Sequence, residues 1–299
     1  MPARFAAYPS DSAALVRVLD EEANYRIGRS SECEIRLEHR SISRFHAELS
    51  GSDRHWSLND TGSKNGLSVE GHLTKRAELA RSTWFMIGDV YCSFEPLDEA
   101  AGTAYLTERA TRRATSRALS MQLHPNLGVG TLIPQALDMV LQLSGLERGF
   151  VLYAAEGDPL RVRATRGLRI DDIANKQFAG SVAAVERALS TSEHVVCCDT
   201  SDSPWLGTRP SVRLGGIRSL LCVPLALGGR STGVLYADSR KPGPPITELD
   251  IELVENVTRQ AAAAIEAARF EDRIAEALRN AASIGVEAPA WDDLRAVLT

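Results

Sequence analysis

Several protein classes drop out because their signatures are missing. No run of about eighteen apolar residues occurs, and the N-terminus lacks a basic segment followed by an apolar one. Neither a membrane helix nor a secretion signal is therefore expected, and the chain reads as cytoplasmic. No GxxxxGK[ST] phosphate loop and no HExxH motif is present, and no helix-turn-helix or zinc-finger spacing. Enzyme activity, cofactors and metal sites are accordingly not expected. The net charge of −5 argues against a general nucleic-acid binder. Cysteine is scarce: Cys33, Cys92, Cys197, Cys198 and Cys222 are an odd set, two of them adjacent, and they read as reduced thiols.

What is present suits two domains. The chain has 299 residues, 44% of them hydrophobic and 24% charged, enough for an ordinary core in each half. Residues 25–71 alternate apolar and polar positions in short stretches broken by Gly-rich turns, the pattern of an all-β domain. Three clusters fall at those breaks: Gly28-Arg29, Ser43-Arg44-Phe45-His46 and Ser63-Lys64-Asn65-Gly66. Arginine offers a charged, planar fork of donors that matches a phosphate, and a serine hydroxyl can donate to a further oxygen. Arg26, Arg36 and Arg40 add positive charge nearby. A dianionic group on an extended peptide fits such a cluster.

The order GR, SxxH, SxNG resembles the forkhead-associated (FHA) domain over roughly residues 12–97. That resemblance implies a β-sandwich that reads phosphothreonine peptides. It implies that Arg29 and Ser43 hold the phosphate, that Arg44 and Lys64 stand beside it, and that Asn65 bonds the peptide main chain. Gly28, His46, Ser63 and Gly66 would shape the loops. Leu67 departs from the family, which commonly has Thr there. The partner implied is a Thr-phosphorylated protein.

Along the chain, residues 14–19 are expected as the first strand, and 83–87 with 90–95 as a hairpin turning at Gly88-Asp89. A helical connector is expected from near Thr103 to the break at His124-Pro125, with Thr103, Thr107, Thr111 and Thr115 on one face. That face reads as a solvated stripe or, alternatively, as phosphorylation sites that the loops capture in cis. Arg109, Arg112, Arg113 and Arg117 make the connector basic, which reads as a solvated face or as a lure for an acidic partner. Domain bounds are placed at 1–97, 98–124 for the connector, 125–280, and a tail at 281–299 that carries Trp291, Leu294 and Leu298.

Residues 131–145 read as an amphipathic helix and 180–193 as another; a hairpin turns at Gly228-Gly229. A long helix enters at Thr247, with Asp250 three residues on, close to a capping box. Helices before and after an antiparallel core make an α+β domain. IRSLLCVPL and GVLYAD followed by an Ala-rich helix resemble a GAF domain over about 119–275. The resemblance implies a central antiparallel sheet with flanking helices that senses a small ligand or dimerises. The stripe Val254, Val257, Ala261, Ala264, Ile265 and Ala268 offers a homodimer seam.

The FHA–GAF pairing resembles the sensory half of bacterial signalling proteins, some of them transcriptional activators with an ATPase and a DNA-binding domain after it. No such segment follows here, so activator function is not expected. Asn175-Lys176-Gln177-Phe178 resembles the start of a cyclic-nucleotide signature, but the acidic pair that should follow is missing. His194 reads as packing rather than haem-binding. Two alternatives stay open: a phosphate-independent docking protein, and a methionine-sulfoxide reductase using Cys197, Cys198 and Cys222.

Overall fold

A computed structural model describes residues 1–52, 55–155, 158–169, 181–283 and 295. The chain divides into two compact units. One comprises residues 1–113 with 196–208 and 241–251; the other comprises 114–195, 209–240 and 252–299. Asn175 to Phe178 and the tail residues Trp291, Leu294 and Leu298 lie outside the described residues.

The first unit is built of short strands: β1 (Ala3–Tyr8), β2 (Leu15–Leu19), β3 (Asn24–Gly28), β4 (Ile35–Arg36), β5 (Ala47–Ser52) and β6 (His55–Asp60). There follow β7 (Leu67–Val69), β8 (His72–Thr74), β9 (Arg76–Glu78), β10 (Thr83–Ile87) and β11 (Val90–Pro96). They form two sheets, ordered β2-β1-β11-β10-β7-β8 and β4-β3-β5-β6-β9. Alternation sends Phe5, Phe85, Ile87, Cys92 and Phe94 inward from the first sheet, and Ile27, Leu49, Trp56 and Leu58 inward from the second. Trp56 and Phe94 meet with ring centroids 5.4 Å apart. This is the expected β-sandwich.

The hairpin at 83–96 forms as expected, with Gly88 at φ +56°. The first strand does not: β1, residues 3–8, precedes the expected one and pairs with both β2 and β11. Its ARFAAY sequence has no β-branched residue and three alanines, which mask a strand, yet between two partners those alanines are buried.

Helix α1 (Glu99–Ser120) starts four residues earlier than expected, because the Asp98 carboxylate caps it by accepting from Ala101 N–H at 2.7 Å. Two of its arginines turn inward within this unit. Arg109 donates to Val16 O at 3.3 Å and lies over Tyr105; Arg112 pairs with Asp250 at 2.5 Å.

The second unit carries the antiparallel sheet β13-β12-β16-β15-β14, made of β12 (Arg148–Tyr153), β13 (Arg161–Arg166), β14 (Val195–Cys197), β15 (Ser219–Leu227) and β16 (Arg230–Ser239). Helices α2 (Val129–Ser144) and α3 (Val182–Thr191) appear as read, and a short α4 (Pro210–Gly215) was not anticipated. Helix α5 (Glu248–Ser283) begins at the capping box: Thr247 N–H donates to Asp250 Oδ2 at 2.7 Å, and Asp250 N–H returns to Thr247 Oγ1 at 3.2 Å. Val254, Val257, Ala261, Ala264, Ile265 and Ala268 are all buried. That stripe is therefore spent within the chain's own core. Phe270 and Leu278, farther along α5, stay nearly half exposed.

Candidate functional site

Three loops of the first unit converge because their main chains are laced together. The first leaves β3 at Gly28, where a side chain is impossible: a Cβ would sit 2.2 Å from Arg44 O and 3.0 Å from Cys33 Sγ. That close approach lets Arg29 N–H donate to Ser43 O at 3.0 Å and Ser30 N–H to Arg44 O at 3.1 Å. The Gly28-Arg29 loop is thereby zipped to the Ser43–His46 loop.

The third loop joins through side chains. Ser43 Oγ accepts from Lys64 N–H at 3.1 Å, and the Asn65 side-chain amide donates to Ser41 O at 2.8 Å. His46 is fully buried and bridges both loops. Its Nδ1 accepts from Ser43 N–H at 3.1 Å, which leaves Nε2 to donate to Gly66 O at 3.0 Å. Gly66, at φ +77°, donates its N–H to Ser63 Oγ at 2.9 Å, and Ser63 N–H donates to Asp60 Oδ1 at 2.9 Å. Burial pushes the Asp60 carboxyl up, but Lys75 at 2.6 Å and the bonds from Ser63 outweigh it and hold it at about 2.

The charges sort into two groups. Arg26 pairs with Glu34 at 2.9 Å, and its hydrogen bonds hold that carboxyl at about 2; Arg36 pairs with Glu38 at 2.7 Å. These two arginines, expected to feed the site, are neutralised by acids two to eight residues away. Arg29, Arg40, Arg44 and Lys64 are exposed and make no side-chain hydrogen bond or ion pair among the described residues. Asn65 spends one amide N–H on Ser41 O, which leaves its carbonyl oxygen and its second N–H for a ligand. All nine residues singled out in the sequence thus lie on one set of linked loops.

One further residue holds the loops and escaped the sequence reading. Ser41 is buried, accepts from Asp89 N–H at 2.9 Å, and lies 2.8 Å from His39 Nδ1. It fastens the site to the β10–β11 turn. The only local signal was a second serine two positions before Ser43.

The second unit holds a different chemistry. Arg148 and Asp238, partners across β12 and β16, form a buried ion pair at 2.5 Å. Burial pushes the Asp238 carboxyl up even against that guanidinium. Beside them Phe150 stacks on Tyr236 at 4.8 Å, and burial, with the Asp238 carboxyl adding to it, pushes the Tyr236 hydroxyl well up. His194 does not simply pack: it is about one-third exposed and its Nδ1 lies 2.7 Å from Glu255.

The cysteines are free. Burial pushes the Cys222 thiol up strongly. Cys197 is pushed up to about 12 by burial, with Asp11 and Cys198 adding to it; Cys198 reaches about 11, chiefly by burial. Thiols held protonated are poor nucleophiles, which counts against the reductase alternative. Residues 229–233, GRSTG, carry the G-x-S-x-G spacing of serine hydrolases, a motif not expected in this chain. They lie at a hairpin turn rather than a strand-to-helix elbow, and Ser231 Oγ is 2.9 Å from Ser192 Oγ. No cluster of metal-ligating residues occurs among the described residues, and no described helix is long and apolar enough to cross a membrane.

Comparison with known families agrees with this division. Residues 25–88 match the FHA domain model and 129–265 match the GAF domain model. The chain carries an FHA domain followed by a GAF domain: a module of phosphothreonine-dependent protein interaction, then one of ligand sensing or dimerisation. Among solved structures it is similar to the FHA domain of the CT664 protein from Chlamydia trachomatis. The two are 27% identical over 32% of this chain and 99% of that one, with a TM-score of 0.28. It is similar to the Mycobacterium tuberculosis Rv1747 FHA-1 domain, at 24% identity over 32% and 97% with a TM-score of 0.28. It is also similar to the GAF domain region of a putative membrane protein from Geobacter sulfurreducens PCA. There identity is 22% over 48% and 96%, with a TM-score of 0.40. No curated protein matches the chain.

Proposed function

We propose that this chain is a cytoplasmic signalling adaptor that captures Thr-phosphorylated segments of a partner protein, and whose GAF domain dimerises or senses a small ligand. One observation carries the first half: Arg29, Arg44 and Lys64 stand without a side-chain partner among the described residues, on loops laced around the half-buried Ser43 hydroxyl. Phosphate is the group such a set prefers, since each hydrogen bond to a charged group is worth about 1.5–3 kcal/mol. Asn65, through its free carbonyl oxygen, takes a main-chain N–H of the bound peptide.

The ligand comes in trans. The connector threonines are poor candidates for cis capture, because Thr103, Thr107 and Thr111 lie in α1 and their hydroxyls donate to carbonyls four residues back at 2.8–2.9 Å. A segment read by such loops must be extended. For the second half, Phe270 and Leu278 leave an apolar face on the far part of α5 for a second copy.

The test is a phosphothreonine peptide library presented to the native chain, Arg29→Ala and Ser43→Ala. Native protein should select phosphorylated peptides, Arg29→Ala should lose at least a hundredfold in affinity, and Ser43→Ala about tenfold. A partner complex that survives both substitutions would favour phosphate-independent docking instead.

A further inference from the structure

The outer face of the six-stranded sheet carries a row of side chains that the phosphate loops do not use. Strand register sets it. Tyr8 lies opposite Tyr91, Tyr91 opposite Met86, Met86 opposite Ser68, and Ser68 opposite Leu73. Side chains directly opposite on one face are neighbours, so these five form one line across β1, β11, β10, β7 and β8. Trp84, one row over, stacks on Tyr8 at 5.5 Å. Leu73 is 80% exposed, Trp84 60% and Tyr91 55%.

Helix α1 covers the neighbouring end of this face. Arg109 bonds Val16 O there, Arg4 lies over Tyr105, and outward-facing Ala6 is buried. Among the described residues nothing covers Leu73, Tyr91 and Trp84 in the same way, and Tyr8, Met86 and Ser68 between them are half-buried. The row contains no charge and is bordered by the ion pairs Glu70–Arg81 and Arg4–Glu95. An aromatic centre with a polar rim is the composition of a binding surface.

The row also begins at the candidate site. A Cβ on Gly66 would lie 3.3 Å from Leu73 Cδ2, and Gly66 follows Lys64 and Asn65 directly. A peptide anchored at those loops has Leu73 within reach beside Gly66. Five strands at about 4.8 Å spacing give a track of roughly 19 Å, the reach of about six extended residues. A single line of side chains suits one such segment better than a second folded copy, which would need roughly 800 Å² per partner.

We propose that recognition is bipartite: the loops take the phosphothreonine, and the row from Leu73 to Tyr8, with Trp84, seats an apolar segment of the same partner flanking it. This rests on the phosphothreonine reading above. The test uses fluorescence anisotropy with synthetic phosphothreonine peptides extended by six residues, at one end or the other, in alternating Leu-Ser or in serine alone. Leu-Ser extension at one end should tighten binding to the native chain about tenfold over the serine version. Tyr91→Ser and Trp84→Ser, both exposed positions that should keep the fold by circular dichroism, should abolish that gain while leaving the serine peptide's affinity unchanged. Equal binding of the two extensions at both ends, or a gain that survives both substitutions, overturns the proposal. So does a sedimentation shift from dimer to monomer in Tyr91→Ser, which would assign the row to a second copy. Arg29→Ala separates the two levels: if it leaves every peptide bound, the phosphate reading itself fails; if it releases them all, only the outer-face outcome decides the extension.

Discussion

Arg29 and Arg148 are the same residue put to opposite uses. Arg148 is buried and its charge is cancelled by Asp238 at 2.5 Å, whereas Arg29 is exposed with no side-chain partner among the described residues. A charge paired in the interior fixes structure and is unavailable to a ligand. A charge left unpaired has to be positioned by something else. In the FHA loops that work falls to main-chain bonds, to His46 and to the missing side chain at Gly28. Stability and binding should therefore respond to different substitutions in the two regions.

The largest effect expected is on stability in the GAF sheet. Asp238→Ala strands the Arg148 guanidinium in the interior and should destabilise that unit by about 3–5 kcal/mol. Thermal unfolding reads the loss, and phosphopeptide affinity should not change. If affinity falls with it, the contrast drawn here is wrong. Next comes His46→Ala, which removes no cation yet leaves Ser43 N–H and Gly66 O without their partner. A loss of about 2–3 kcal/mol is expected, with phosphopeptide binding weakened at least tenfold.

Acid should act on the loops through Asp60. Its carboxyl is held at about 2, below the ordinary value near 4, so the folded state favours the ionised form. The contribution is therefore whole above pH ~4 and is lost as pH falls through about 2. Peptide binding in Asp60→Asn should lose this pH dependence between those limits, measured against native protein. The smallest effect belongs to Glu34→Gln. It releases the exposed Arg26 guanidinium from its carboxylate at little cost in stability, since solvent screens surface pairs. Phosphopeptide affinity should rise two- to threefold at low salt, and the gain should shrink as salt is added.

Much of this was legible in the sequence where the signal is local. Ser63 and Gly66 are dictated by turn geometry, the 83–96 hairpin by alternation around Gly88, and the entry to α5 by Thr247 and Asp250. What stayed hidden depends on neighbours distant in the chain. Strand β1 is a strand because β2 and β11 flank it. Ser41 matters only because Asp89, 48 residues on, donates to it. The cations were counted correctly but not sorted, since nothing in the composition says that Glu34 and Glu38 would take Arg26 and Arg36. The outer row needs the register of five strands, which no local pattern supplies.

The central claim is that the convergent loops hold a doubly negative side chain. Calorimetric titration of the native chain with one peptide, made with threonine and again with phosphothreonine, tests it most directly. The account predicts saturable binding of the phosphorylated form, weakening as salt rises, and heats at the level of dilution for the plain one. Equal affinity for the two would contradict it.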